Sequence, residues 1–211
     1  QQIVAKSLVR ELKFQPKRVL ELGCGSGQVF NHITWDIEFY KAIDFSSSMC
    51  ELHPKGENIE VKCFDFDTQE FLDEIKNNSY DIVLSSSALQ WSKDLSKIIK
   101  QLSLITNEIN AVLFTSNTFK TIQKITNTKS PILDENSIKE AFSKYFTCEF
   151  ETILYKLEFD NKKDLFDYIK KSGVSGGNAS LNFADAKKLY KEYNLNYLEF
   201  EVIFVKTISK L

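Results

Sequence analysis

Between Val19 and Gly27 the chain reads VLELGCGSG, with glycines at 23, 25 and 27. An apolar run ending in such a cluster is a buried strand that must turn sharply into the next element. Glycine takes positive φ without strain and lets a bound molecule approach the backbone to van der Waals contact. The spacing is GxGxG, not the GxGxxG whose helix N-terminus is aimed at a pyrophosphate. Asp44 ends the next apolar run, close to the ~20-residue offset of a ribose-binding acid. Both hydroxyls of a ribose can donate to one carboxylate. The alternative is an acidic helix N-cap before SSSM.

A third stretch, LSSSALQW from Leu84 to Trp91, follows a further apolar run. Strand C-termini in open α/β sheets line the ligand crevice, so Ser85, Ser86 and Gln90 are candidate pocket residues. Trp91 is either a wall of that pocket or a packed core aromatic. Cys24, Cys50, Cys63 and Cys148 form no CxxC pair, and the histidines are His32 and His53 alone. No metal site is therefore expected, and the thiols read as reduced and cytoplasmic.

The elements that must hold these residues alternate. Residues 2–13 read as a helix broken before Pro16, and Arg18–Leu22 as the first strand, with a helix from about Gln28. Phe39–Asp44, Asn58–Cys63, Tyr80–Leu84 and Ala111–Thr115 read as strands two to five, with a helix over Leu95–Leu104 before the fifth. Helices follow near Thr118–Ile125 and Ser137–Tyr145, then an extended stretch over Thr147–Phe159. Helices near Lys162–Ser172 and Phe183–Tyr193 precede a last strand at Leu198–Ile208. Short apolar runs separated by amphipathic ones predict βα units and a mainly parallel sheet.

At 211 residues, 43% hydrophobic and 27% charged, the chain fits one α/β domain, residues 1–211. A net charge of −2 gives no bulk attraction to nucleic acid. No apolar run approaches the ~20 residues of a membrane span. The opening QQIVAKSLVR has neither an initiator Met nor a signal-peptide stretch, so further residues are expected before it.

The run VLELGCGSG resembles motif I of class I S-adenosylmethionine-dependent methyltransferases along its whole length. That resemblance implies a Rossmann-like fold: a mostly parallel seven-stranded sheet with an antiparallel last strand. A small helical lid, residues 160–196, would be inserted between the last two strands. It implies cofactor contacts from Glu21, Gly23, Cys24, Gly25, Gly27, Asp44, Phe45, Met49, Asp65, Phe66 and Ser85. Within FDFD (Phe64–Asp67), Asp65 would accept from the adenine amine and the Phe66 N–H reach the ring; the alternative is a solvated acidic loop. Met49 would lie on the adenine or in the core. S-adenosyl-L-homocysteine would be the product.

ALQW after the fourth strand is similar to two narrower families, the malonyl-acyl-carrier-protein methyltransferases of biotin synthesis and the trans-aconitate methyltransferases. FTSNTFKTIQKI, DLFDYIKKSGVSGGN and LEFEVIFVKTISK resemble the first. Two features depart from it: its N-terminal aromatic segment has no counterpart, and the last strand lacks a common glycine. The implied reaction is methyl transfer to the free carboxylate of a malonyl thioester on acyl carrier protein. Such a carboxylate, with a pKa near ~4, is nucleophilic at neutral pH without a general base.

The arginines are Arg10 and Arg18, and Arg18 starts a strand at the end away from the crevice, so no bidentate arginine clamp is expected on the substrate carboxylate; lysine or hydroxyl groups must read it, and a multiply charged acid such as trans-aconitate is disfavoured. Lys162, Lys163, Lys170, Lys171, Lys187, Lys188 and Lys191 would offer an acidic carrier a docking face, or simply form a solvated one among interspersed acids. The chain is expected to act as a monomer. A cofactor-binding module without turnover and an NAD-dependent oxidoreductase are the readings from other classes. The second lacks both the GxGxxG register and a Tyr–Lys or His pair.

Overall fold

The computed structural model describes residues 2–171 and 183–210. In chain order the elements are α1 (Gln2–Arg10), β1 (Arg18–Leu22), β2 (Phe39–Asp44), α2 (Ser47–Leu52), β3 (Ile59–Cys63), α3 (Gln69–Ile75), β4 (Ile82–Ser86) and α4 (Leu95–Leu102). After these come β5 (Ile109–Phe114), α5 (Lys120–Thr126), α6 (Glu135–Ser143), β6 (Phe146–Glu158), α7 (Lys162–Lys171), α8 (Phe183–Glu192) and β7 (Tyr197–Lys210). Single 3₁₀ turns lie at Phe30–His32 and Leu89–Trp91.

The sheet order is β3-β2-β1-β4-β5-β7-β6. The pairs β1–β2, β1–β4, β2–β3 and β4–β5 are parallel. Against β5 the last strand is antiparallel: Ile109 N–H bonds Thr207 Oγ1 at 2.7 Å and Thr115 N–H bonds the Glu201 carbonyl at 3.0 Å, so partners recede as the chain advances. This is the mostly parallel seven-stranded α/β sheet that the sequence predicts. Chain order reverses between β1 and β4, and in such sheets ligands bind outside the strand C-termini at that point.

The chain divides into two compact units, Gln1–Leu113 with Asn136–Glu151 and Ile203–Leu211, and Phe114–Glu135 with Thr152–Val202. In the first, Val19, Leu20 and Leu22 of β1 and Ile82, Val83 and Leu84 of β4 are wholly buried. Consecutive rather than alternate burial is what a parallel sheet covered on both faces requires. Helix α4 turns Leu95, Ile98, Ile99 and Leu102 inward and is capped by Asp94, whose carboxylate accepts the Lys97 amide at 3.0 Å. The core of the second unit is Phe119, Ile122, Leu165, Leu189, Tyr193 and Leu198, with Phe166, Tyr168 and Phe200 packed on it.

One expectation is corrected. No α-helix starts at Gln28; the segment makes turns and the single 3₁₀ turn Phe30–His32 before Ile33 goes extended. Val29, Ile33 and Thr34 are β-branched and Asn31 and Asp36 are poor helix formers, so local propensity does not sustain a helix there. Conversely, Ser47–Leu52 and Gln69–Ile75 are helices that apolar periodicity had not marked. Among the described residues no helix is long and apolar enough to cross a membrane. Part of DLFDYIKKSGVSGGN lies outside the described residues.

Candidate functional site

The loop after β1 is lashed to β2 by the N–H groups of Gly23 and Cys24, which both donate to the Ile43 carbonyl at 2.7 and 3.0 Å. Glycines 23, 25 and 27 all have positive φ, of 72°, 51° and 88°. At two of them neighbours also forbid a side chain. A Cβ on Gly23 would sit 2.0 Å from the Ala88 Cβ, and one on Gly27 2.5 Å from Pro54 Cδ. Gly25 differs, because its Cβ position faces open space. Cys24 is buried, and burial, with Glu21 and Asp44 nearby, pushes its thiol far above the ordinary range.

Asp44 is only 9% exposed. Its Oδ2 accepts the Gly25 amide at 2.9 Å and its Oδ1 the Ser46 amide at 2.9 Å. The second contact is a turn of the Asx type. Ser46, not Asp44, occupies the N-cap position of α2, so helix capping is not what Asp44 does. Phe45 and Met49, the next candidates, are 78% and 41% exposed.

After β3 the chain forms a turn in which Asp65 Oδ1 accepts the Asp67 amide at 2.9 Å and the Asp65 carbonyl accepts the Thr68 hydroxyl at 2.7 Å. Asp65 is exposed and Phe66 half-buried. Asp67, which sequence reasoning passed over, is the tie to the loop after β4. It accepts the Ser92 hydroxyl at 2.9 Å and the Lys93 amide at 3.0 Å.

The stretch after β4 divides its polar groups. Ser85 is wholly buried and its hydroxyl donates to the Leu22 carbonyl at 3.0 Å, so it stitches β4 to β1. Ser86 is half-buried and Trp91 is 50% exposed. Ser87 takes φ of 62°, and its carbonyl accepts the Gln90 side-chain amide at 2.7 Å. The Ser87 hydroxyl and Gln90 Oε1 are buried without a partner in the protein. Strained backbone and unpaired buried polar atoms gather at ligand sites. Nothing in the spelling SSSALQW separates Ser87 from its two serine neighbours.

Glu21 lies beneath the loop, 1% exposed, and accepts the Tyr40 hydroxyl at 2.5 Å. His53 Nε2 is 3.9 Å from Glu21 Oε2, too long for a hydrogen bond, while Nδ1 meets the Pro54 carbonyl at 2.9 Å. Burial raises the Glu21 pKa, opposed by His53 and Tyr40. All these residues belong to the first unit.

Arg18 is at the opposite end of β1, stacked on Phe39 and bonded through Nε to the Ser79 carbonyl. Of the inserted lysines, Lys163, Lys187, Lys188 and Lys191 are exposed and Lys162 lies 5.1 Å above the Tyr190 ring. The side chains of Lys170 and Lys171 lie outside the described residues.

A methyltransferase-domain family profile matches residues 20–107, which run from β1 past the loop after β4 and through α4. The matched stretch is similar to a methyltransferase domain and covers less than half of the chain. Beyond the profile, the chain is 24% identical over 180 residues to the malonyl-[acyl-carrier protein] O-methyltransferase of Bacillus cereus. That alignment covers 76% of this chain and 66% of the relative, just under two thirds of its length. It is 27% identical over 121 residues to the protein of the same name from Legionella pneumophila, covering 53% of this chain and 41% of that one. Among solved structures, the YcgJ protein of Bacillus subtilis superimposes over 100% of both chains with a TM-score of 0.72 at 11% identity. A putative methyltransferase of Bacillus halodurans covers 96% of each chain with a TM-score of 0.62 at 13% identity. At such identities the two structures establish the fold alone.

Proposed function

We propose that the chain is an O-methyltransferase that esterifies the free carboxylate of a malonyl thioester carried by acyl carrier protein, a step of biotin synthesis. The observation that carries this reading is that relatives aligned over 76% of the chain are malonyl-[acyl-carrier protein] O-methyltransferases.

The local geometry suits the cofactor. Each Asp44 oxygen already holds one backbone amide and keeps a second lone-pair direction for a ribose hydroxyl. Gly25 borders open space, so the amino-acid end can lie against its backbone. Exposed Phe45 and Met49 offer apolar surface to an adenine. Glu21 acts from below, holding Tyr40 and with it the base of the loop.

When bound, the cofactor supplies a methyl group on a sulfonium. The chain has to place a carboxylate in line behind that methyl and keep water away, and it needs no base to do so. Ser87 and Gln90 bring an unpaired hydroxyl and an unpaired amide oxygen to the loop after β4 for that placement. Exposed Lys163, Lys187, Lys188 and Lys191 attract the acidic carrier on this reading.

The test is methyl transfer from labelled S-adenosylmethionine, offered malonyl-acyl carrier protein and trans-aconitate in parallel. Label on the malonyl thioester alone supports the reading. Label on trans-aconitate alone, or on neither, rejects it.

A further inference from the structure

Two thiols lie on the successive backbone carbonyls of Asp44 and Phe45. Cys50, on α2, has its sulfur 3.6 Å from the Asp44 carbonyl and 3.6 Å from the Lys62 carbonyl. The Lys62 carbonyl belongs to the peptide leading into Cys63. Cys63 ends β3, opposite Asp44 in the strand register, and its sulfur is 3.4 Å from the Phe45 carbonyl. Cys50 therefore touches the carbonyl of the residue before Cys63, and the two thiols lie on adjacent carbonyls of one turn, those of Asp44 and Phe45. Both are free thiols, Cys50 buried and Cys63 exposed. Neither has a part in the proposed methyl transfer.

We propose that Cys50 and Cys63 are a peroxide-sensitive dithiol whose closure to a disulfide weakens cofactor binding at Asp44. The effect on affinity rests on the reading of Asp44 and Phe45 as cofactor contacts; the bond itself does not.

The exposed member meets the oxidant. The Cys63 sulfur, as thiolate, attacks one oxygen of hydrogen peroxide; the O–O bond breaks, hydroxide leaves and is protonated to water, and Cys63 becomes a sulfenic acid. The Cys50 sulfur then attacks the Cys63 sulfur, the S–O bond breaks, and the departing hydroxide takes the Cys50 proton as a second water. Two thiols are oxidised and one peroxide is reduced to two waters. Cys50 suits the resolving role. Its sulfur lies 3.6 Å from the carbonyl of Lys62, the residue before Cys63, so it is the thiol placed to attack there.

Closure brings the two sulfurs to a bond of about 2.05 Å, pulling α2 toward the end of β3 beside Asp44 and Phe45. It also removes both S–H donors. The Asp44 carbonyl keeps the Phe64 amide at 3.0 Å, whereas the Phe45 carbonyl loses its thiol donor. Displacing the carboxylate from the ribose position costs about one charge-assisted hydrogen bond, an affinity loss on the order of tenfold.

The experiment treats the full chain with hydrogen peroxide, maps disulfides by mass spectrometry after alkylation, and measures S-adenosylhomocysteine affinity by calorimetry. The expected result is a Cys50–Cys63 linkage, weaker binding, recovery of both with dithiothreitol, and loss of both responses in Cys63→Ser. Cys63→Ala is the second variant, should serine at the strand end perturb folding. A linkage that uses Cys24 or Cys148, or no linkage at all, overturns the proposal. So does an unchanged affinity in protein whose Cys50–Cys63 bond has been mapped. If the reduced protein does not bind S-adenosylhomocysteine, the cofactor reading of Asp44 fails and the affinity claim falls with it, while the mapping still judges the dithiol.

Discussion

Gly25 donates its backbone N–H to Asp44 Oδ2 at 2.9 Å, so the open face of the glycine loop and the carboxylate at the end of β2 are one hydrogen-bonded unit. Anything that moves the carboxylate also moves the loop. Asp44→Asn tests the pair, because an amide has one acceptor oxygen where the carboxylate has two. Loss of a charge-assisted acceptor predicts about 10- to 100-fold weaker S-adenosylhomocysteine binding in calorimetry. A change below about threefold would remove Asp44 from the cofactor site.

The three glycines should separate under alanine substitution. Gly25→Ala meets no neighbour, so its stability cost is that of a left-handed alanine, about 1–2 kcal/mol. Gly23→Ala adds a collision with Ala88 at 2.0 Å and should cost more, with Gly23→Ala/Ala88→Gly recovering part of the difference. Urea unfolding midpoints measure both. Equal losses at the two positions would show that Ala88 does not enforce Gly23.

Glu21 gives the chain a pH signature. Its folded pKa is raised by burial above the ordinary 4.5, so the folded state holds this proton more tightly than the unfolded one. The resulting stabilisation is fully present below the unfolded value and is lost as pH rises through the folded value. Glu21→Gln keeps an acceptor for Tyr40 and has nothing to ionise. Its melting temperature should therefore gain on the wild type as pH rises from 5 to 8. Parallel melting profiles would mean that the folded carboxyl titrates as an ordinary one.

Lys41 is a lysine in the middle of β2, 2% exposed, reaching Glu60 at 3.1 Å and also Glu74. Partial burial raises the Glu60 pKa, but Lys41 and Lys62 outweigh it and hold the carboxyl below its usual value. Lys41→Met should destabilise by about 1–3 kcal/mol at pH 7, below the full cost of a broken buried pair because water reaches both acids. A depressed folded pKa contributes stability above the unfolded value and loses it as pH falls through the folded one. The deficit should thus shrink at pH 3.5 in denaturant titrations. A deficit independent of pH would assign the loss to packing alone.

The line between local and tertiary information runs through particular residues. Val19–Gly27, and Asp44 at the end of the next apolar run, spell strand, glycine loop and acid within one short stretch, and their placement on β1 and β2 could be read from the residues themselves. Apolar continuity in β1 and β4 likewise announces strands buried on both faces. The helix expected at Gln28 is missing because glycines signal a turn but not the conformation beyond it; β-branched and short polar residues decided that. Ser87 is indistinguishable in sequence from Ser85, yet one is strained and unpaired and the other stitches two strands.

By itself, then, the sequence determined the order of elements, the glycine loop and its acid, because strand formation, positive φ and apolar periodicity are properties of neighbouring residues. Only the tertiary structure decided that Gly23 must clear Ala88, that Lys41 is buried between two acids, that Glu21 serves Tyr40, and that the Cys63 sulfur lies on the Phe45 carbonyl. Each of those contacts joins residues 13 or more positions apart in the chain, and parallel pairing makes such distances unavoidable. A parallel neighbour can be reached only after a crossover of roughly a dozen residues or more, so no local pattern encodes which side chains will face each other.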